Sequence, residues 1–175
     1  MDGTAEFGPQ RTVDRMRIGL ISDSHDRPDT LKAAVDALNE ARVAFVIHAG
    51  DFVAPFTLKE LDHLDADWRG VFGNNDGERV GLEKASKGRV AKTWLTMQLQ
   101  GRTIGVIHDE SRLADDQLHG LDLLVCGHTH RAKKEHRDGV LVVNPGELCG
   151  YLTGRASFAV MDLETLDLEQ VILGA

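Results

Sequence analysis

Cysteine is scarce in this chain: 175 residues hold two, Cys126 and Cys149, too few for a disulfide framework. Both stand beside apolar or glycine residues, the setting of a buried reduced thiol. A reducing cytoplasm is the expected compartment. No apolar run approaches the roughly 20 residues of a membrane span, so no membrane partner is expected. The amino terminus lacks a basic start followed by an apolar stretch, so no secretory signal is expected. Positive charge is also short. Twenty Lys and Arg against 28 Asp and Glu leave a net charge of -8. A broad nucleic-acid surface needs clustered cations to displace counterions, and the composition argues against one. Internal repeats, low-complexity tracts and interdomain linkers are missing as well.

What remains is the composition of an ordinary globular protein, 42% hydrophobic and 27% charged. Residues 1–15 form a polar leader with Gly3, Gly8 and Pro9 and no periodicity, expected to be disordered or loosely draped. Residues 16–175 are expected to form one domain, and Met16, directly before the first apolar run, offers a second candidate start. Short apolar runs alternate with helical patterns from there. Strands are expected at 18–21, 43–47 and 68–72, and helices at 29–41, capped by Asp29 or Thr30, at 55–64 and at 79–87. The second half reads as a hairpin of 93–99 with 103–107, a helix at 111–119 and a buried strand at 121–126. A second hairpin of 133–137 with 140–143 turns at Asp138-Gly139, and strands 156–163 and 166–173 close the chain. This order predicts an α/β protein of two packed sheets with helices outside.

The polar residues fall at informative places. Asp23 and His25 follow the first strand, Asp51 the second, Asn74 the third, His108 the 103–107 strand, and His128 and His130 the 121–126 strand. Ligands of open α/β sheets gather beyond the carboxyl ends of strands, and here five strands each deliver a metal-capable side chain to that end. Asp23-Ser24-His25 and His128-Thr129-His130 share a ligand-x-ligand spacing, which in extended backbone turns both side chains to one side. Two carboxylates, one amide oxygen and four imidazoles exceed the four ligands of a single zinc. They suit two divalent cations with a shared carboxylate and positions open to water and substrate.

At this point the residues resemble a family. Asp23-Ser24-His25, Gly50-Asp51, Gly73-Asn74-Asn75-Asp76, His108 and Gly127-His128-Thr129-His130 are similar, in order and spacing, to the motifs of the calcineurin-like metallophosphoesterases. The stretches 74–79 and Asn144-Pro145-Gly146-Glu147 resemble the small prokaryotic phosphodiesterase branch. The resemblance runs from about Met16 to the carboxyl terminus. It implies a four-layer α-β-β-α sandwich of two mixed sheets flanked by helices. It implies one cation on Asp23, His25 and His130, a second on Asn74, His108 and His128, and Asp51 between them. It further implies hydrolysis of a phosphodiester by a hydroxide bridging the two cations. Manganese, nickel, iron, cobalt or zinc suits such imidazole-rich sites better than magnesium or calcium.

Two departures bear on chemistry. Many family members have His where Asn75 stands. A neutral amide donates a hydrogen bond to a phosphoryl oxygen but cannot act as a general acid, so diesters with good leaving groups are favoured over monoesters. Asp109-Glu110 follows His108 where the family often has Gly, and is read as a solvated loop outside the site. His63 and His119 read as surface residues, His48 as structural, and Asp76 as a minor brace for Asn75 or the backbone. A phosphomonoesterase and a protein-binding scaffold of the same fold are the alternatives. The expected partner is a small phosphorylated substrate, with a homo-oligomer as the further possibility.

Overall fold

The computed structural model describes residues 15–114 and 116–174. The expectation of a loose leader therefore lies, apart from Arg15, outside the described residues. The chain runs β1 (Arg17–Ile21), α1 (Pro28–Glu40), β2 (Phe45–His48), β3 (Asp67–Val71), α2 (Arg79–Ser86), β4 (Val90–Ala91) and β5 (Trp94–Leu99). It continues through β6 (Arg102–Ile107), β7 (Leu123–Val125), β8 (Lys133–Arg137), β9 (Val140–Asn144), β10 (Ser157–Asp162) and β11 (Leu168–Ile172). Two mixed sheets result, ordered β11-β10-β1-β2-β3-β4 and β5-β6-β7-β9-β8. Within them β1 through β4 run parallel to one another, as do β6, β7 and β9.

Strand alternation divides the core into layers. Ile18, Leu20, Ile47 and Val71 of the first sheet meet Ile104, Val106, Leu123, Val125, Leu141 and Val143 of the second. On the other face of the first sheet, Leu31, Ala34, Val35 and Leu38 of α1 pack with Val46, Trp68 and Phe72. Each fully buried Leu or Ile contributes roughly 1.5–3 kcal/mol. Both sheets are therefore anchored from the inside, and their edges are left free to present loops.

Several elements differ from the sequence expectation. Helix α1 begins at Pro28 with Arg27 at its cap position and no side-chain cap. Proline presets the first helical turn, and Asp29 is instead paired with the Arg27 guanidinium at 2.7 Å. The 55–64 segment is a 3-10 helix over Thr57–His63. The helix expected at 111–119 is a 3-10 turn at Glu110–Arg112 followed by irregular turns. Leu113, Leu118 and Leu121 still pack on Ile107, Leu124, Cys126, Val140 and Val142. Their apolar spacing is satisfied by covering the second sheet without a helical backbone. Strand β4, two residues long, was too short to show a pattern.

Candidate metal centre

Every parallel strand ends at the same edge, and the polar residues follow from that. Asp23 and His25 lie beyond β1, Asp51 beyond β2, Asn74 beyond β3, His108 beyond β6, and His128 and His130 beyond β7. The structure brings all seven together. In one group, donor atoms of Asp23, His25, Asp51 and His130 all lie within 4.8 Å of one another. Donors about 2.0–2.2 Å from a single cation are separated by up to roughly twice that distance. In the other group, Asn74 Oδ1 lies 2.9 Å from His108 Nε2 and 2.8 Å from His128 Nδ1. Asp51 Oδ2 joins the groups, 3.8 Å from His25 Nε2 and 3.3 Å from His108 Nε2.

The local backbone is not the extended ladder expected from the ligand-x-ligand spacing. Asp23, His25, Asp51, His128 and His130 have φ of 50°, 47°, 62°, 68° and 62°, all left-handed. Each such residue costs on the order of 1–3 kcal/mol and persists only where the surroundings hold it. Here the Asp23 N–H donates to the Gly50 carbonyl at 3.0 Å and the His25 N–H to the Asp51 carbonyl at 2.8 Å. The His128 N–H donates to Asp23 Oδ2 at 3.1 Å. The loops thus brace one another. A Cβ on Gly127 would stand 2.7 Å from Asp23 Oδ2, and one on Gly50 would stand 2.9 Å from His108 Nδ1. Glycine is needed at both for close approach.

Four further residues hold this arrangement, and the sequence reading undervalued them. Asp76 is buried and accepts from the N–H groups of Asp51 at 3.1 Å, Val53 at 2.7 Å and Gly73 at 2.7 Å. It ties the Asp51 loop to the Asn74 loop, far more than a minor brace. Buried Glu147, beyond β9, accepts from His130 Nδ1 at 2.6 Å, which leaves His130 Nε2 facing Asp23 Oδ1 at 3.4 Å. Leu152 and Thr153 N–H groups and the His130 bond outweigh the effect of burial and hold the Glu147 carboxyl at about 2. His48 is fully buried, stacks on Phe52 and links Ser24 Oγ to the Gly50 N–H. Burial pushes its imidazole down to about 3. Ser22 donates to Asp23 Oδ2 at 2.6 Å. Asp76 and Glu147 stood within quoted motifs, whereas Ser22 and His48 needed a spatial neighbour to acquire meaning.

Asp109 and Glu110 are not a free solvated loop. Asp109 pairs with Arg112 at 3.4 Å and lies 3.8 Å from His128 Nε2. Glu110 is bound by Lys133 and Arg137 of β8. His63 and His119 are exposed, as expected.

The electrostatics favour a cation. Burial raises the Asp23 carboxyl above its usual range, against lowering by His108 and Ser22. Asp51 is held at about 2, burial being outweighed by His108 and by the Asn75 backbone and amide. Asp23 Oδ1 and His25 Nε2 are buried with no hydrogen-bond partner among the described residues. Buried polar atoms are rarely left so. A divalent cation seated among the four donors would satisfy both, so the residues present fit one.

The chain is similar to proteins of known family. Residues 16–166 match the calcineurin-like phosphoesterase superfamily domain. The phosphodiesterase MJ0936 of Methanocaldococcus jannaschii is 36% identical over 165 residues, 90% of this chain and 99% of that one. A probable metallophosphoesterase of Methanothermobacter thermautotrophicus is 33% identical over 91% of this chain and 94% of its own length. The solved structure of an archaeal phosphodiesterase superposes with a TM-score of 0.84 at 33% identity, covering 90% of this chain and all of that one. This chain is therefore a member of the calcineurin-like phosphoesterase superfamily, whose members depend on divalent metal ions.

Proposed function

We propose that the chain hydrolyses phosphodiesters at a two-cation centre. Asp23, His25 and His130 would hold one cation, Asn74, His108 and His128 the other, and Asp51 would serve both. The observation that carries this reading is the pair of buried unpartnered atoms, Asp23 Oδ1 and His25 Nε2, grouped with the Asp51 carboxylate. Its resemblance to relatives named phosphodiesterase supports the substrate class. When bound, two divalent cations polarise the phosphoryl oxygens and acidify water enough for attack near neutral pH. Imidazole, carboxylate and amide donors together favour manganese, iron, cobalt, nickel or zinc.

The chain's own groups orient the reaction. Glu147 and the Ala49 carbonyl take the Nδ1 hydrogens of His130 and His108, leaving both Nε2 atoms as donors toward the centre. Asn75 grips Asp51 twice, through its N–H on Oδ1 and its amide on Oδ2, each at 2.8 Å. An amide nitrogen carries two hydrogens, so the second is available to a phosphoryl oxygen. No imidazole stands at position 75 to protonate a leaving group, and diesters with acidic leaving alcohols are the favoured substrates. The acidic chain as a whole repels anions, so a small substrate drawn by the local cationic charge is the partner this site suits. No helix among the described residues is long and apolar enough to cross a membrane, and a reducing cytoplasm suits the two free, buried thiols.

Turnover of paired aryl diester and monoester substrates by metal-stripped protein tests this, before and after adding manganese, nickel, zinc or magnesium. Restored diester hydrolysis, faster than that of the monoester, is expected. Faster monoester hydrolysis would overturn the substrate class. Metal binding with turnover of neither would leave the scaffold reading in place of the enzyme. Replacing Asn75 with His should raise the monoester-to-diester ratio by about tenfold if an added acid assists the leaving group.

A further inference from the structure

A cavity of about 320 Å³ opens beside the Asn74 and His108 half of the centre, within the size range of small-molecule sites, roughly 300–1,000 Å³. Its position follows from topology. Strand β4 is the edge of the first sheet and β5 the edge of the second, so the two-residue link Lys92-Thr93 passes between sheets at the rim of the site. That link puts Lys92 and Trp94 on one wall, while Phe72 and Arg79 come from the end of β3 and the start of α2.

The wall chemistry is specific. Phe72, Trp94 and Ile107 provide apolar and aromatic surface, with Phe72 buried and Trp94 partly exposed. Arg79, Lys92 and Arg112 provide three cations. Arg112 is matched by Asp109 at 3.4 Å. Arg79 lies over the Phe72 ring and donates to the Asp76 carbonyl at 3.2 Å. Among the described residues neither Arg79 nor Lys92 forms an ion pair. Two cations without a carboxylate partner thus stand beside an aromatic face at the rim of the site, in a chain of net charge -8. Anions are repelled everywhere except where such charges are gathered. An aromatic ring next to them recognises a flat group, since base–aromatic stacking is indifferent to base identity.

We infer that this cavity receives one ester arm of the substrate, a nucleotide whose base lies against Trp94 and whose second phosphate is paired by Arg79 and Lys92. The inference rests on the phosphodiesterase reading above and narrows it to diesters with a nucleotide arm bearing a further phosphate. Asn74 and His108 line both the cavity and the centre, so an arm in the cavity is continuous with a phosphorus at the centre. Arg79 and Lys92 act on affinity for the arm, and the chemistry at phosphorus is left to the centre.

Calorimetric titration of the manganese-supplied protein with thymidine 3′,5′-bisphosphate and with thymidine 5′-monophosphate tests the assignment. The bisphosphate is expected to bind at least about tenfold tighter, the increment of one charge-assisted contact pair. Lys92→Met, at an exposed position, and Arg79→Met should each remove most of that advantage. Lys32→Met makes the same charge change at an exposed α1 residue paired with Asp36 and should leave the advantage intact. Turnover of bis(p-nitrophenyl) phosphate by Lys32→Met should stay within twofold of the parent. Equal affinity for the two nucleotides, or an advantage surviving in both cavity variants, overturns the cavity assignment even where bis(p-nitrophenyl) phosphate is hydrolysed. Bisphosphate selectivity in a protein that hydrolyses no diester with any cation overturns the phosphodiesterase reading, and the arm assignment with it.

Discussion

The two halves of the proposed centre are built from similar donors but are exposed to different degrees. Asp23, Asp51 and His130 are buried, and each is held by a second ring of polar groups: Ser22, the Asp76-braced loop and Glu147. In the other half His108 is buried, but Asn74 and His128 are exposed, the His128 side chain to 42%, and Asn74 and His108 line the cavity with Arg79 and Lys92. Desolvated carboxylates are costly without a compensating charge, so the buried half is expected to hold its cation tightly. The open half has lower desolvation cost and more room, and suits the approach of substrate. The proposed centre would thus divide retention from access.

The largest test of this division removes what the halves share. Asp51→Ala should lower diester turnover by about a thousandfold or more and release cation from both halves; near-normal turnover would refute the shared role. Next is the brace. Asp76→Ala leaves three backbone N–H groups without their acceptor, at about 1 kcal/mol or more each. The thermal midpoint should then fall by roughly 10 °C for a chain of this size, and an unchanged midpoint would show that the loops are held otherwise.

Glu147→Gln sharpens the comparison directly. It should weaken the cation of the buried half by about 10–100-fold and spare the open half. Equal loss from both halves, read as metal stoichiometry against free metal, would break the distinction. The smallest effect is expected at Glu110, which sits next to the open half in sequence but is turned away onto β8. Burial alone would raise its carboxyl, yet Lys133 and Arg137 hold it below 4.5. A depressed folded value contributes stability that is present above the unfolded pKa and lost as pH falls through the folded one. Urea denaturation of Glu110→Gln below pH 4.5 should therefore show a shallower acid decline than the parent, and parallel declines would remove the contribution.

Much of the site was legible in the chain because its donors follow strands, and strands are legible from short apolar runs. Asp23, Asp51, Asn74, His108 and His128 each stand where a run ends, and parallel pairing carries such ends to one edge. The helix expected at 111–119 failed for a related reason. Leucines in a short segment report that it covers apolar surface, and Leu113, Leu118 and Leu121 are partly buried against Cys126 and Leu124 from an irregular backbone. Apolar spacing alone does not distinguish the two.

The sequence by itself determined the layered α/β architecture and the family, and it singled out the seven candidate donors, because all three rest on local order: run length, turn residues and short spacings. The tertiary structure alone decided which groups hold the donors in place. Asp76 and Glu147 gain their roles from neighbours many residues away, and no local pattern encodes a hydrogen bond to a distant loop. The left-handed backbone at five candidate donors was likewise decided by contacts between loops, since positive φ is uncommon for any non-glycine residue, even for Asp and His that tolerate it best. The pairing of Arg79 with Lys92 around one cavity arises only where two sheet edges meet.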